Sequence, residues 1–269
     1  MLLRALLLLS IAALAGCDVM SQDFDELSDS FDPPTPFQAA VWASDFNTPG
    51  LQRRGVVLLS NATFGGVEAN IRLYRVLVDE DSDPLVRAAA IQALGRWGEP
   101  SDAPRIAARL DSSNEQVRLE AAKALQRLHN DAVVGQLWRR LVMEEETKAV
   151  RVELAIALGQ YPSDAVFQSL IRALDNRSLT LNLAAVDSLR LLTNQDFGLD
   201  TVQWIAWYDS TKNPFAGNMT FIFPTFSRKI SFFEQLMFWA PVRFEDPAVP
   251  RGLESGARST YDTASGKGS

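Results

Sequence analysis

The sequence has few of the side chains that metal binding and nucleophilic catalysis require. It contains one cysteine and one histidine in 269 residues. A single cysteine excludes an intramolecular disulfide, and a multi-ligand Cys/His zinc site has too few ligands. His129 is expected in a turn or on the surface, because it precedes Asn130 and Asp131 at a predicted helix end. Since the sequence also lacks a phosphate loop and a nucleophile elbow, we expect no enzyme activity, no cofactor and no metal.

The sequence also lacks an excess of positive charge. Residues 18–52 contain seven acidic residues and no lysine or arginine, so the formal net charge of -7 belongs to this segment. The rest of the chain is therefore nearly neutral. A nucleic-acid-binding protein would concentrate lysine and arginine on its folded body. No nucleic-acid partner is expected.

No apolar run at the N-terminus is long enough to span a bilayer, which takes roughly 20 residues. Arg4 precedes a short, mostly apolar stretch from Ala5 to Leu14, which has the proportions of a secretory signal. The stretch leads into Leu14-Ala15-Gly16-Cys17, which resembles the lipobox of bacterial lipoproteins. An ordinary signal peptide is the alternative.

The lipobox resemblance implies that residues 1–16 are removed and that Cys17 carries acyl chains such as palmitate. The chain would then be exported and lipid-anchored in the cell envelope, at the inner or the outer membrane. Residues 17–44 are expected to form an acidic tether, because acids, serines and prolines dominate residues 18–36. A binding motif around Phe24, Leu27 and Phe31 is the alternative for this segment.

The middle of the chain repeats a helical pattern. Five candidate N-cap residues lie 35, 31, 33 and 31 residues apart, and they are Thr48, Asp83, Asn114, Thr147 and Ser178. Apolar or small residues follow each cap at three, seven, eight and eleven positions, which is one stripe of a helix. A second apolar helix follows in each interval. This pattern predicts stacked pairs of antiparallel helices.

Asp83-Pro84-Leu85-Val86-Arg87 resembles HEAT repeats of the phycobilisome-lyase-like subclass, and Val-Arg recurs at 117–118 and 150–151. The resemblance implies an all-α superhelix, a solenoid of about four to five helical hairpins, over residues 45–210. It also implies that the capped helices lie on the concave side. Arg87, Arg118 and Arg151 would form a structural ladder that bonds to carbonyls or acids of the next repeat.

The chain after the last repeat is rich in aromatic residues. Asp196-Phe197-Gly198 with Trp204 and Trp207 resembles a closing segment that plugs the end of bacterial HEAT stacks. Within residues 211–245, an amphipathic helix is predicted at 227–240. It either caps the solenoid or lies on the membrane, in which case the interface residues would be Phe232, Phe233, Met237 and Trp239. Residues 246–269 are expected to be disordered.

The outward positions of the capped helices form the candidate partner-binding surface. They are Gln92, Arg96, Glu120, Lys123, Arg127, Glu153 and Gln160. We therefore expect a membrane-anchored scaffold that binds an envelope protein through a HEAT groove. Two alternatives stay open: an accessory subunit of a lyase-like or cofactor-handling enzyme, as the subclass implies, and a structural spacer of the envelope.

Overall fold

The structure is a computed structural model that describes residues 34–225 and 247–253. The chain divides into residues 1–38 and residues 39–269. The fold presented here is that of the second unit. The predicted signal peptide, Cys17 and most of the tether lie outside the described residues. The same is true of the segment 227–240, with Phe232, Phe233, Met237 and Trp239.

Eleven α-helices and no β-strand form within the described residues. Short 3-10 turns flank α5 and precede α7. The helices are α1 (Pro36–Ala43), α2 (Pro49–Asn61), α3 (Glu68–Glu80), α4 (Pro84–Trp97), α5 (Ala103–Ala107), α6 (Glu115–Ala124), α7 (Val134–Leu141), α8 (Lys148–Leu158), α9 (Asp164–Leu174), α10 (Leu179–Thr193) and α11 (Thr201–Ser210).

The helices stack in two layers. In the first layer α2, α4, α6, α8 and α10 pack on one another in that order. In the second layer α3 packs on α5, α7 on α9, and α9 on α11. The layers meet where α3 contacts α4, α7 contacts α8, and α9 contacts α10. This is the α-solenoid of helical hairpins that the repeat predicts.

All five predicted cap residues stand at N-cap positions. The side chains of Asp83, Asn114 and Ser178 accept hydrogen bonds from amides of the first helical turn. Thr48 and Thr147 make no such bond. At α8 the carboxylate of Glu146 accepts a hydrogen bond of 2.7 Å from the amide of the cap residue Thr147 itself.

The predicted helix stripes form the core. Their members in α4, α6, α8 and α10 are all buried. Leu51 is the exception: it is 37% exposed, and it belongs to the first repeat, where departures from the pattern are usual. Small residues bring the helices close together. A Cβ on Gly95 would lie 2.8 Å from the Cβ of Ala124, so α4 and α6 touch at this point.

The tether predicted to run to residue 44 ends earlier. Residues 39–43 belong to α1, and Ala39 and Ala43 are buried. The physical reason is Gly55, where a Cβ would lie 2.3 Å from the Ala43 nitrogen and 2.6 Å from the Ala39 oxygen. Only the absence of a side chain at residue 55 lets α1 and α2 approach this closely. The folded body therefore includes the last turn of α1.

The three arginines of the predicted ladder have a structural role, but their carbonyl partners precede their own helices and do not lie in the next repeat as expected. Of the three, Arg118 also pairs with Glu146, just before the next capped helix. Arg87 donates to the Asp81 carbonyl, and Arg118 donates to the carbonyls of Ser112 and Ser113 at 2.8 and 3.1 Å. The Nε of Arg151 donates to the Leu141 carbonyl at 2.9 Å. Each arginine thereby fastens a capped helix to the loop that precedes it. Asn182 repeats this contact in the last repeat, with Nδ2 3.0 Å from the Asn176 carbonyl.

Aromatic residues close the end of the stack. Trp204 is fully buried, and its Nε1 donates to the Gly198 carbonyl at 2.9 Å. Phe197 meets the Trp204 ring edge-on, with ring centroids 4.9 Å apart. Gly198 has φ of +55°, a conformation that favours glycine. Trp204 therefore plugs the core as predicted, while Trp207 is only half-buried.

After α11 the chain returns along the ends of the capped helices. The Met219 amide donates to the Leu191 carbonyl at 2.7 Å, and Phe221 and Phe223 are buried. Residues 247–253, here called the strap, follow the same path, because the Phe223 amide donates to the Ala248 carbonyl at 3.1 Å. The sequence predicts disorder from residue 246, and for the strap this is incorrect. Hydrogen bonds to distant residues order this segment, although its composition alone predicts disorder.

Candidate partner-binding surface

An open depression lies across the capped helices α2, α4 and α6. Its floor is apolar and its rim is polar. The lining residues are Arg53, Val57, Leu85, Ala88, Ala89, Gln92, Gln116 and Glu120. The three helices reach this place from separate parts of the sequence because they are consecutive members of one layer.

The depression exists because α4 is narrow at this point. Ala88 and Ala89 are five and six residues after the Asp83 cap. The same positions carry Leu119 and Glu120 in α6. Because α4 carries two methyl groups where its neighbours carry longer side chains, the surface of α4 is recessed between them. This pair of alanines is the signal in the sequence that could have located the site.

The rim contains hydrogen-bonding groups that the rest of the described structure does not use. Arg53 is exposed and makes no hydrogen bond or ion pair with another described residue. Gln92 is also exposed, and its amide has no partner among the described residues. Leu85, 44% exposed, lies at the mouth. A free guanidinium, a free amide and an apolar floor therefore face outward together.

The opposite wall is internally bonded. The Nε2 of Gln116 donates to Oε1 of Glu120 at 2.9 Å, and Lys123 pairs with the same oxygen at 3.2 Å. Glu120 is 9% exposed. This wall is more rigid and closer to neutral than the Arg53 wall. A negatively charged group that enters the depression would therefore bind best at Arg53.

The structure places five of the seven predicted surface residues in two groups, and Glu153 and Gln160 in neither. Gln92 and Glu120 line the depression, and Lys123 adjoins it through Glu120. Glu153 accepts from Nε2 of Gln126 at 2.7 Å. Gln160 is only 3% exposed, because its Nε2 donates to the carbonyls of Leu125 and Ala157. Sequence reasoning missed Arg53, Leu85, Ala88 and Gln116.

Arg96 and Arg127 belong to the second group, beside the C-terminal residues. Arg96 Nη1 donates to the Asn61 side chain at 3.1 Å. The Arg127 guanidinium lies 4.9 Å from the ring centroid of Phe223, a cation-π contact. The backbone oxygens of both arginines accept hydrogen bonds from Arg251. The strap thus borders one end of the predicted surface and leaves the depression uncovered.

Two buried carboxylates serve the scaffold and not the depression. Burial alone raises the pKa of Asp102, but hydrogen bonds from Arg75 and the Glu99 amide outweigh it and lower the pKa below its usual value. Burial alone would also raise the pKa of Glu146. Hydrogen bonds from Arg118, the Thr147 amide and Arg140 outweigh burial and lower this pKa below its usual value. Both acids remain ionised at neutral pH and bind arginines that lie on different helices.

Residues 72–147 match the family model of HEAT repeats. The chain contains HEAT repeats. The match spans most of α3 and all of α4, α5, α6 and α7. It includes the lining residues of the depression on α4 and α6, but not Arg53 and Val57 on α2. The capped helices described above are the layer that lines the depression in this HEAT stack.

This chain is similar in sequence to one known protein and in structure to another. A protein from Pseudanabaena tenuis named "Uncharacterized phycocyanin operon protein Z" is 32% identical over 139 residues, which are 48% of this chain and 66% of that protein. The chain thus spans just under two thirds of this relative. Human deoxyhypusine hydroxylase in complex with glycerol is 17% identical, with a TM-score of 0.31, over 55% of this chain and 80% of that one. At that score the structural likeness carries no argument.

In residues 34–225 and 247–253, no group of three or more His, Cys, Asp or Glu side chains is arranged so that it could hold a metal ion. His129 lies half-buried in the connection between α6 and α7, where its Nδ1 is 3.1 Å from Oε1 of Gln160 and its ring stacks on Tyr161. Among the described helices, none has both the length and the apolar character needed to cross a bilayer.

Proposed function

We propose that this HEAT-repeat protein is a lipid-anchored scaffold of the cell envelope that binds a protein partner in the depression across α2, α4 and α6. The observation that carries the proposal is the unused guanidinium of Arg53 and the unused amide of Gln92, which both line a depression with an apolar floor. The proposal involves no catalytic step and no cofactor.

The composition of the depression suits a protein partner. Protein interfaces combine an apolar centre with a polar rim that supplies hydrogen bonds. Ala88, Ala89 and the exposed Leu85 supply the centre, and Arg53 and Gln92 supply the rim. Because Arg53 has no acid beside it, a partner segment with a carboxylate next to an aliphatic side chain would fit best.

The anchor rests on the lipobox resemblance. Each buried CH₂ of an acyl chain contributes about 0.8 kcal/mol, so two or more chains hold a protein on a membrane durably. Cys17 would carry them, and the acidic residues that follow would keep the body in solution. The second membrane contact through Phe232, Phe233, Met237 and Trp239 stays a prediction.

The partner is tested by crosslinking in intact cells followed by purification of the full-length protein from membranes and mass spectrometry. Arg53→Glu reverses the free charge, and Gln92→Trp fills the depression from an exposed position. Matched controls are Arg177→Glu and Gln168→Trp, which change exposed residues on α9 and the following loop. We expect both depression variants to lose a crosslinked protein that both controls keep. Retention by all four variants contradicts the proposal.

The anchor is tested separately by Cys17→Ala. We expect the variant to leave the membrane fraction, and the wild-type N-terminal peptide to carry a diacylglyceryl mass. A variant that stays on washed membranes as firmly as wild type contradicts the anchor. This result would leave the partner surface intact, so the two parts of the proposal fail independently.

The similarity to phycocyanin operon protein Z supports a second candidate, an accessory subunit of a cofactor-handling enzyme. This function predicts a chromophore, or a chromophore-bearing protein, in native preparations. The absorption spectrum of protein purified from native membranes decides between the two candidates. A visible absorption band that co-purifies with wild type and is lost in Arg53→Glu would favour the accessory subunit.

A further inference from the structure

The strap binds the HEAT stack as an extended peptide. The Arg251 amide donates to the Arg127 carbonyl at 2.9 Å, and the Arg251 carbonyl accepts from the His129 amide at 2.8 Å. These two bonds form a parallel β-bridge between Arg251 and Leu128. The turn after α6 therefore presents a donor and an acceptor in the register that a strand requires, as in peptide recognition by strand addition.

The Arg251 side chain enters a second part of the same site. Its guanidinium donates to the backbone oxygens of Gly98 and Arg96 at the C-terminal end of α4. The last carbonyls of a helix lack partners within the helix and carry the negative end of its dipole. An arginine satisfies both requirements, because it is a cation with a rigid fork of donors.

The residues on each side of Arg251 are also recognised. Gly252 has φ of +88°, and a Cβ there would lie 2.7 Å from the His129 carbonyl and 2.8 Å from Cγ of Pro100. Glycine is therefore required for conformation and for space. Pro250 is buried, and its carbonyl accepts from the Leu253 amide at 3.2 Å. The HEAT stack thus recognises Arg251 by hydrogen bonds and Gly252 by close approach, while Pro250 is buried.

We infer that the end of α4 and the turn after α6 form a binding site for an extended Pro-Arg-Gly peptide, which the chain fills with its own residues 250–252. The segment that binds there by displacing the strap is residues 250–252 of a second copy of this chain, because this is the sequence that fits the site. The strap is covalently attached and competes at an effective concentration on the order of millimolar. The site does not depend on the proposed function, since it shares no lining residue with the depression.

The test uses the full-length chain and a fluorescent peptide with the sequence of residues 248–253. Arg251→Ala weakens the strap as a competitor and leaves the site unchanged. We expect the variant to bind the peptide at least about tenfold more tightly than wild type, because the wild-type strap competes. Peptides with alanine in place of arginine or of glycine should not bind. Arg177→Ala, which changes an exposed loop residue, should behave as wild type.

Hydrogen exchange of the amides at 127–129 distinguishes loss of the strap contact from a general loss of folding. In Arg251→Ala the His129 amide should exchange faster, and added peptide should restore its protection. Absence of peptide binding and of restored protection, with an unchanged helical circular dichroism spectrum, overturns the inference. If Arg251→Ala loses helix, the double variant Arg251→Lys, Gly252→Val is used in its place, with the same expected and overturning results.

The source of the segment is distinguished by mixing. Full-length wild type and Arg251→Ala are combined and analysed by sedimentation velocity. A mixed dimer identifies a second copy of this chain as the donor of the peptide. Peptide binding without a mixed dimer overturns the second copy as the occupant. Failure of the peptide to bind removes the site, whatever the outcome for the depression.

Discussion

Arg251 donates a hydrogen bond from its guanidinium to the backbone oxygen of Gly98, a residue 153 positions earlier in the chain. With the bond to Arg96 it connects the end of the described chain to the second capped helix of the stack. In most solenoids each repeat contacts only its neighbours. Here a long-range contact is added, and its contribution to stability can be measured.

Arg251→Ala should lower the free energy of unfolding by about 1.5–3 kcal/mol, the range for hydrogen bonds to a charged group. The reason is that two carbonyls at the end of α4 lose their donor. Urea denaturation followed by circular dichroism gives the value. Arg177→Ala is the control and should stay within about 0.5 kcal/mol of wild type. Equal midpoints for the two variants would show that the strap contact is not stabilising.

Glu146→Gln should destabilise the stack by about 3–5 kcal/mol, because it leaves buried cationic groups without a counter-charge. The Glu146 side chain is 0% exposed and pairs with Arg118 and Arg140. The neighbouring Glu145 is exposed, so Glu145→Gln is the matched control. Thermal unfolding of both variants provides the comparison. An effect of similar size in both would contradict the structural role of Glu146.

Stability should fall in acid because of Asp102 and Glu146. Both carboxyls have a pKa that is lower in the folded chain than its ordinary value. Their contribution is therefore fully present above about pH 4, the unfolded value, and is lost as pH falls through the lower folded values. Urea unfolding from pH 7 downward measures this loss. In the double variant Asp102→Asn, Glu146→Gln, the free energy of unfolding should decline less steeply below pH 4 than in wild type. An equally steep decline would contradict the role of these two carboxyls in acid stability.

Gly55→Ala should destabilise the N-terminal end of the body by about 1–3 kcal/mol through overpacking. The new Cβ would approach the Ala43 nitrogen to 2.3 Å, so α1 must move away. Gly50 lies on the same helix with nothing within 4 Å of its Cβ position. Gly50→Ala should therefore be neutral or slightly stabilising. Thermal melts of the two variants test the pair, and a reversed order would exclude close packing of α1 on α2.

The sequence alone determined the helical hairpins. The caps at Asp83, Asn114 and Ser178 and the apolar stripes that follow them depend on contacts within one or two helical turns. Such contacts can be recognised from spacing. The structural role of the arginine ladder could also be predicted, but not its partners, because Arg87 and Arg118 bond to the loop before their own helices and not to carbonyls of the next repeat.

Only the tertiary structure decided which surface is available and where the folded body ends. Arg53, Gln92 and Glu120 come together because three helices stack, and Gln160 is withdrawn because its amide bonds to the preceding repeat. Ala39 and the strap look like tether and tail in the sequence. They are ordered by carbonyls and amides presented by distant helices, and no local periodicity encodes those partners. Short-range chemistry therefore specifies the repeat, while long-range packing specifies the sites on it.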